Sequence, residues 1–355
     1  MRNYIIILFC LFGVLNLLHS QTYQVQSPDK TLQIEVNAGS ELTWNLYHNG
    51  EMIMGPSVVS ITLEKEGVLG KNTRVRKVTQ LTVNNIIKTP IYKKDEVIDH
   101  YNQLTLELRD GLTLQFRAYD EGVAYRIVTA FKKEITVVNE EANFVFPSAQ
   151  KAWVPYIVSN LERYMTSFES TYDVLPFNDI DEGRLIITPL LVEVGDGKKV
   201  VITEADLEDY AGMFVTINSN RNGFKSEHAP YPIAEKTGGH NNLQAIVTQR
   251  ANYIAKTKGT RTFPWRVFAV SDNDAQLLDN DLVAKLASPN RIGDLSWIKS
   301  GKVAWDWWND LNISGVDFRS GVNNETYKYY IDFAAENGVE YVILDEGWSE
   351  QSSLL

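Results

Sequence analysis

The sequence predicts a multidomain chain of β plus α/β class. A large antiparallel β-sandwich is followed by the start of a (β/α)8 barrel, cut short after two strands. Three observations carry this expectation. From Thr22 to about Val270, short alternating strands succeed one another with turn signals between them, as in an antiparallel sandwich. Near Asp274 the apolar period becomes helical. From Lys302 to Trp348 the order is strand, helix, strand, and both apolar runs end in acids beside tryptophans. A first βαβ unit of a barrel reads this way, with its polar residues at the carboxyl ends of the strands.

The N-terminus carries a targeting signal. Arg2 precedes an apolar run from Tyr4 to Leu18, and Ser20 stands before Gln21. A short positive region, an apolar run of this length and a small residue make a secretory signal peptide over residues 1–20. The alternative is a retained anchor, for which the run is short. The single cysteine, Cys10, lies inside the run, so the mature chain would have no disulfide or thiol chemistry. The expectation is export across the inner membrane, to the periplasm, with no membrane contact after cleavage.

The sandwich is expected over residues 21–294. Thr31 to Val36 alternates with period two, and Leu42 to Tyr47 does so again before Asn49-Gly50, a strong hairpin signal. Leu104 to Leu108 turns at Asp110-Gly111 into Leu112 to Tyr119, and Ala124 to Val128 follows Gly122. A strand expected to end at Thr203 leads into carboxylates at Glu204, Asp206, Glu208 and Asp209. Two readings stand here. Thr203 can cap a helix whose first turn favours acids, or the carboxylates can offer oxygens to a hard cation such as calcium. The run lacks EF-hand spacing, and composition alone favours the cap. Further on, Gly238-Gly239-His240-Asn241 could bring backbone and polar side chains to sugar hydroxyls, or could be a surface hairpin.

One helix is expected from Asp274 to Ala287, ending before Ser288-Pro289, with a domain boundary near Asp294. The barrel segment then occupies residues 295–355. Its helix, Asn324 to Asn337, has Asn323 or Asn324 as cap, Glu325 in its first turn and Gly338 beyond its end. Tyr327, Tyr330, Ile331, Ala334 and Ala335 form the apolar stripe that would pack it on a sheet.

Composition narrows the partners. A formal net charge of -11 disfavours nucleic acid and anionic membrane surfaces, and is compatible with neutral sugars and with a cation site. The 8 Trp, 17 Tyr and 14 Phe suit sugar stacking, although each aromatic could equally fill a β-rich core.

Several stretches together resemble glycoside hydrolase family 97. They are Trp305-Asp306-Trp307-Trp308-Asn309, Gly315-Val316-Asp317-Phe318, Tyr327 to Ala335 and Leu344-Asp345-Glu346-Gly347-Trp348, with Ile202 to Tyr210 and Gly238 to Asn241 upstream. The strand-one motif is similar to the retaining α-galactosidase branch more than to the inverting α-glucosidase branch. The resemblance implies a β-super-sandwich packed on a (β/α)8 barrel, with calcium at the active site and Glu204 reaching across as a ligand. It makes His240, Asn241, Asp306, Trp307, Trp308, Asp345 and Glu346 candidate substrate-binding residues, with Trp348 as a further stacking platform.

The expected substrate is an α-linked galactoside or, failing that, a glucoside. A retaining pair needs two carboxylates about 5–5.5 Å apart, and the resemblance places them on later barrel strands, past Leu355. The chain by itself is therefore expected to be inactive. A non-catalytic carbohydrate-binding module is the reading from another class.

Overall fold

The computed structural model describes residues 21–89, 91–157, 163–165, 168, 170–239 and 244–348. The expected signal segment, with Cys10, and the candidates His240 and Asn241 lie outside the described residues. The chain divides into two compact units. The first holds residues up to Asn84, His100–Tyr231 and Ala251–Ala287; the second holds Asn85–Asp99, Pro232–Arg250 and Ser288 onward.

Two large sheets with antiparallel pairing build the first unit, and both arise from alternation. Leu32–Ala38 buries every second residue, so one face of the strand goes to the core. A nine-stranded sheet runs in the order Gln21–Gln26, Leu32–Ala38, Leu42–His48, Glu51–Leu63, Ile135–Val145, Gly223–His228, Met213–Ile217, with Gly67–Leu69 beside Glu51–Leu63 and Ala255–Thr257 beside Ile135–Val145 as its other two strands. A ten-stranded sheet runs Asp173–Pro176, Lys151–Val154, Leu190–Glu193, Lys199–Ala205, Trp265–Ser271, Gly122–Ala130, Leu112–Tyr119, Glu96–Leu108, Val75–Lys88, with Thr260–Thr262 beside Gly122–Ala130 as its tenth strand. The hairpins expected at Asn49-Gly50 and Asp110-Gly111 form in register, with His48 opposite Glu51 and Glu107 opposite Thr113.

The sheets share one core. Trp44 of the first sheet meets Phe268 at 4.9 Å, Tyr125 at 5.5 Å and Phe116 at 6.2 Å of the second, and Phe144 meets Phe268 at 5.3 Å. Edge-on and tilted pairs like these add to the area that the rings bury.

The rims of the nine-stranded sheet are closed by different means. At one rim, Gln80 Nε2 and Asn102 Nδ2 donate to the carbonyls of Gln24 and Gln26 at 2.9 and 2.8 Å. At the other, Ile186 exchanges two backbone bonds of 2.9 Å with Val215.

Gly122 fits this packing only as glycine. Its φ is +151°, and a Cβ would lie 2.3 Å from the Phe268 carbonyl oxygen and 2.6 Å from Leu282 Cδ1. Gly122→Ala is expected to lose roughly 1–3 kcal/mol, read as a lower urea midpoint at unchanged slope.

Four expectations need correction. The strand after Leu190–Glu193 continues through Glu204 to Ala205, so Thr203 caps no helix; Glu204 stays in the ladder opposite Arg266. The helix expected over 274–287 is two, Asp274–Leu278 and Leu282–Leu286. Asn280 Oδ1 accepts from the Leu282 backbone at 3.1 Å, which restarts the chain instead of continuing it. The strand expected from Lys302 to Trp308 is Val303–Trp305, and a 3-10 turn takes Asp306–Asn309. Its partner is Tyr341–Ile343, shorter than the run from Val339 to Trp348.

The strand–helix–strand order itself holds. Val303–Trp305 pairs in parallel with Tyr341–Ile343, Trp305 opposite Ile343, across the helix Asn324–Glu336. Asn323 caps that helix by accepting from Thr326 N at 2.9 Å, and Gly338 follows it at φ +61°. Ala334 of the expected stripe is buried, whereas Ile331 and Ala335 are exposed.

Candidate functional site

At the carboxyl ends of the parallel pair, the acids and tryptophans of the second unit meet. Asp306 is 0% exposed. Its Oδ1 accepts from Trp307 N at 2.8 Å, and both its oxygens lie 3.2–3.3 Å from Asp345 N. The carboxylate thus ties the end of one strand to the residue just past the end of the other. It also explains the early turn, because a bond from its own side chain to the next N–H favours a local turn over the ladder. Asp345 is exposed and is held from the side, its Oδ1 accepting from Trp305 Nε1 at 3.1 Å.

Glu346 and the aromatics complete the rim. The Glu346 carbonyl accepts from the Tyr327 hydroxyl. Burial, then the negative charge of Asp306, hold the Tyr327 phenol above its ordinary value, so it stays a donor. Trp307, Trp308 and Trp348 are 47%, 83% and 62% exposed in this chain. Trp308 packs its ring 6.3 Å from that of Trp305. The structure therefore brings Asp306, Asp345, Glu346, Trp307 and Trp308 to one edge, and separates their roles. Asp306 is a buried tie, and Asp345 is an exposed acid bonded to Trp305.

Glu204 belongs to a different cluster, in the first unit. Arg266, 1% exposed, lies between two carboxylates. Its Nε and Nη2 donate to Glu140 Oε1 at 2.9 and 2.6 Å, and Nη1 donates to Glu204 Oε1. Glu204 Oε2 accepts from Met213 N at 2.8 Å, and Arg266 Nη2 lies 3.2 Å from His228 Nε2. A guanidinium only donates, so Nε2 of the neutral imidazole is the acceptor and the ring proton sits on Nδ1.

Burial shapes the charges of this cluster. It lowers the His228 pKa to about 4, against the pull of Glu140. Burial alone would raise the Glu140 carboxyl, but Arg266 and His228 hold it below its ordinary value. Burial and then Glu140 hold the Tyr210 phenol well above its own.

The rest of the acid run also meets arginine. Arg126 stands 3.9 Å from Asp206, and Arg261 donates to the carbonyls of Glu208 and Asp209 at 2.9 and 3.0 Å. Calcium takes six to eight oxygens, and both oxygens of Glu204 are engaged. Among the described residues no group of three or more His, Cys, Asp or Glu side chains could hold a metal ion. The described residues do not by themselves fit the calcium that the resemblance implies.

Sequence reasoning passed over Glu140, His228, Arg266, Trp305 and Tyr327. Arg266 had a signal: it is the one charge in the apolar run from Phe263 to Val270, and a buried strand tolerates such a residue only if it is paired. Glu140 and His228 had none, since only the fold brings them to it.

Comparison with known proteins agrees with these features. Residues 25–289 match the family described as Glycosyl-hydrolase 97 N-terminal, and residues 307–354 match Glycoside hydrolase 97. The chain is 43% identical, over 98% of its length, to a protein of Bacteroides thetaiotaomicron named retaining alpha-galactosidase, of which it covers 54%. It is 24% identical, over 90% of its length, to a probable retaining alpha-galactosidase of Streptomyces bingchenggensis, of which it covers 45%. The chain thus spans about half the length of these curated relatives. Among solved structures, a glycoside hydrolase family 97 enzyme from Pseudoalteromonas sp. strain K8, in complex with acarbose, matches 92% of this chain and 47% of its own. That match has a TM-score of 0.76 and 25% identity. With matches that together cover the sandwich and the acid–tryptophan edge, this chain belongs to glycoside hydrolase family 97.

Proposed function

We propose that the chain is part of a retaining α-galactosidase, exported to the periplasm, and that its parallel βαβ unit begins a (β/α)8 catalytic barrel. The observation that carries this reading is the identity of 43% along 98% of the chain with a protein named retaining alpha-galactosidase. The geometry is in keeping with it. A held acid, Asp345, and exposed tryptophans stand at the carboxyl edge of parallel strands, where barrels of this class bind substrates. A sugar offers hydroxyls to such an acid and an apolar face to such rings. The apolar run from Tyr4 to Leu18 supports export.

The chemistry of retention needs a nucleophile and an acid/base on opposite sides of the scissile bond. Asp306 is buried in its backbone bonds and Asp345 stands directly before Glu346 in the chain, so this reading assigns that pair to residues outside the described ones. Likeness to an enzyme in complex with acarbose and panose supports a second reading, α-glucoside hydrolysis.

The test is hydrolysis of p-nitrophenyl α-galactoside and α-glucoside, with and without a chelator. It uses the 355-residue chain and a version continued to the full length of its relatives. The expected result is galactoside turnover by the longer protein only, with loss of activity in chelator if calcium is required. Preferential glucoside turnover moves the assignment to the second reading. Turnover by the 355-residue chain refutes the placement of the catalytic pair.

A further inference from the structure

Two arginines stand close together on one face of the ten-stranded sheet. Arg126 lies opposite Gln115, and Arg117 is two residues beyond Gln115 on the same strand, so both side chains leave the sheet on one side. A glutamine holds each at its inner nitrogen. Arg126 Nε donates to Gln115 Oε1 at 2.8 Å, and Arg117 Nε donates to Gln103 Oε1 at 2.9 Å. Aromatic rings hold their flat faces. The Arg117 guanidinium carbon lies 4.2 Å from the centre of the Tyr101 ring and 4.7 Å from that of Trp265, and the Arg126 carbon lies 4.3 Å from Trp265. Both rings are themselves buried.

Stacking and the glutamines leave the outer edges of the two guanidiniums unbonded. An arginine carries five N–H donors. Among the described residues, the Nη groups of Arg126 meet no acceptor within hydrogen-bond distance, and Asp206, at 3.9 Å, is the one carboxylate within 4 Å of either arginine. Arg117 Nη1 reaches the Tyr119 hydroxyl at 3.4 Å, and its Nη2 meets no acceptor among these residues. No nitrogen of either side chain is both buried and unbonded, so these donors open on solvent. Other arginines of the same sheet differ. Arg266 and Arg261 have all three nitrogens bonded.

Charge selects the ligand. Burial, and then the neighbouring Arg117, push the Arg126 pKa down to about 10, so both groups remain cationic at neutral pH. Two guanidiniums against Asp206 leave one positive charge. A single carboxylate neutralises it, and its two oxygens match the fork of N–H groups along a guanidinium edge. A phosphate ester, with about −1.5 to −2 charges, would overshoot beside Asp206. A neutral sugar would accept the hydrogen bonds and leave the charge.

We propose that Arg117 and Arg126 form a binding site for a monovalent carboxylate, gripped by the outer edges of the two guanidiniums above Trp265.

The test uses the 355-residue chain with isotope-labelled arginine and tryptophan. Acetate, inorganic phosphate and chloride are titrated at constant ionic strength while arginine Nε–H and indole signals are followed by NMR, for wild type, Arg126→Lys and Arg126→Gln. The expected result is a saturable shift with acetate at the Arg117, Arg126 and Trp265 signals, and weaker binding of phosphate. Arg126→Gln should weaken acetate at least tenfold, the worth of one charge-assisted bond. Arg126→Lys keeps the charge without the fork and should weaken it severalfold; it serves alone if Arg126→Gln lacks a cooperative melting transition. A shift that does not saturate, that chloride reproduces, or that the folded variants leave unchanged overturns the site. A version continued to the full length of the relatives identifies the source of the carboxylate. Acetate shifts that persist there mark a free ligand. Shifts lost there, with Arg126→Gln lowering the melting temperature more than in the 355-residue chain, mark a carboxylate of the polypeptide itself. Loss without that lowering overturns the site.

Discussion

Arg266→Met is expected to cost the protein about 3–5 kcal/mol, the loss seen when one partner of a buried ion pair is removed. The reason is the pair of carboxylates left behind. Glu140 is 3% exposed, and the Glu204 side chain 10%; in the variant the Met213 N–H, His228 and the Tyr210 phenol remain near them, and none supplies a fixed positive charge at neutral pH. At the ordinary scale for domains of this size the melting temperature falls by roughly 10 °C. The triple variant Arg266→Met, Glu140→Gln, Glu204→Gln removes the uncompensated charge, and should recover much of the loss. Both are read by calorimetry. A triple variant as unstable as the single one would show that packing around the long side chain, and not charge, explains the effect.

Acid should weaken the fold well before its carboxylates protonate. Burial sets the His228 pKa at about 4 in the folded chain, against about 6.5 in the unfolded one. The groups facing the ring are Arg266, Glu140 and Tyr210. A depressed pKa means that the unfolded chain binds the extra proton first. Stability is therefore full above about pH 6.5, falls by about 1.4 kcal/mol per pH unit down to about pH 4, and is flat in this term below that. The total is on the order of 3 kcal/mol. Glu140, also depressed, acts in the same direction at lower pH, its contribution being lost as pH falls through its folded value. His228→Gln keeps an acceptor toward Arg266 and removes the titration. Urea denaturation at pH 7, 6, 5 and 4 checks this: the variant should lose less than wild type between 6.5 and 4. Coincident slopes would mean that another group carries the acid sensitivity.

How much of this was legible depends on where each residue finds its partner. Asn49-Gly50 and Asp110-Gly111 could be read because hairpin geometry is a property of the turn itself. The cap at Asn323 and the glycine at 338 are equally local. The helix cap read at Thr203 failed because Glu204 and Asp206 face Arg266 and Arg126, 62 and 80 positions away, and no local pattern carries such a distance. The break at Asp279–Asp281 was local but ambiguous, since Asn and Asp serve helix interiors poorly and caps well. Among the site candidates, Asp306 was found by its position at a strand end. Its burial follows from Asp345 N and Trp307 N folding onto it, which spacing alone does not report.

The two closed rims of the nine-stranded sheet bear on how this protein would misassemble. Growth of a cross-β stack begins where a strand offers an unused row of carbonyls and amides to an arriving chain. At Gln24 and Gln26 that row is already answered by side-chain amides, and at Val215 by Ile186. The ten-stranded sheet instead ends in Val75–Lys88, fourteen residues long and almost wholly exposed, with Val78, Leu81 and Ile86 facing water. A lysine placed at Leu81 is therefore expected to slow fibre growth of this chain, read by thioflavin fluorescence against wild type.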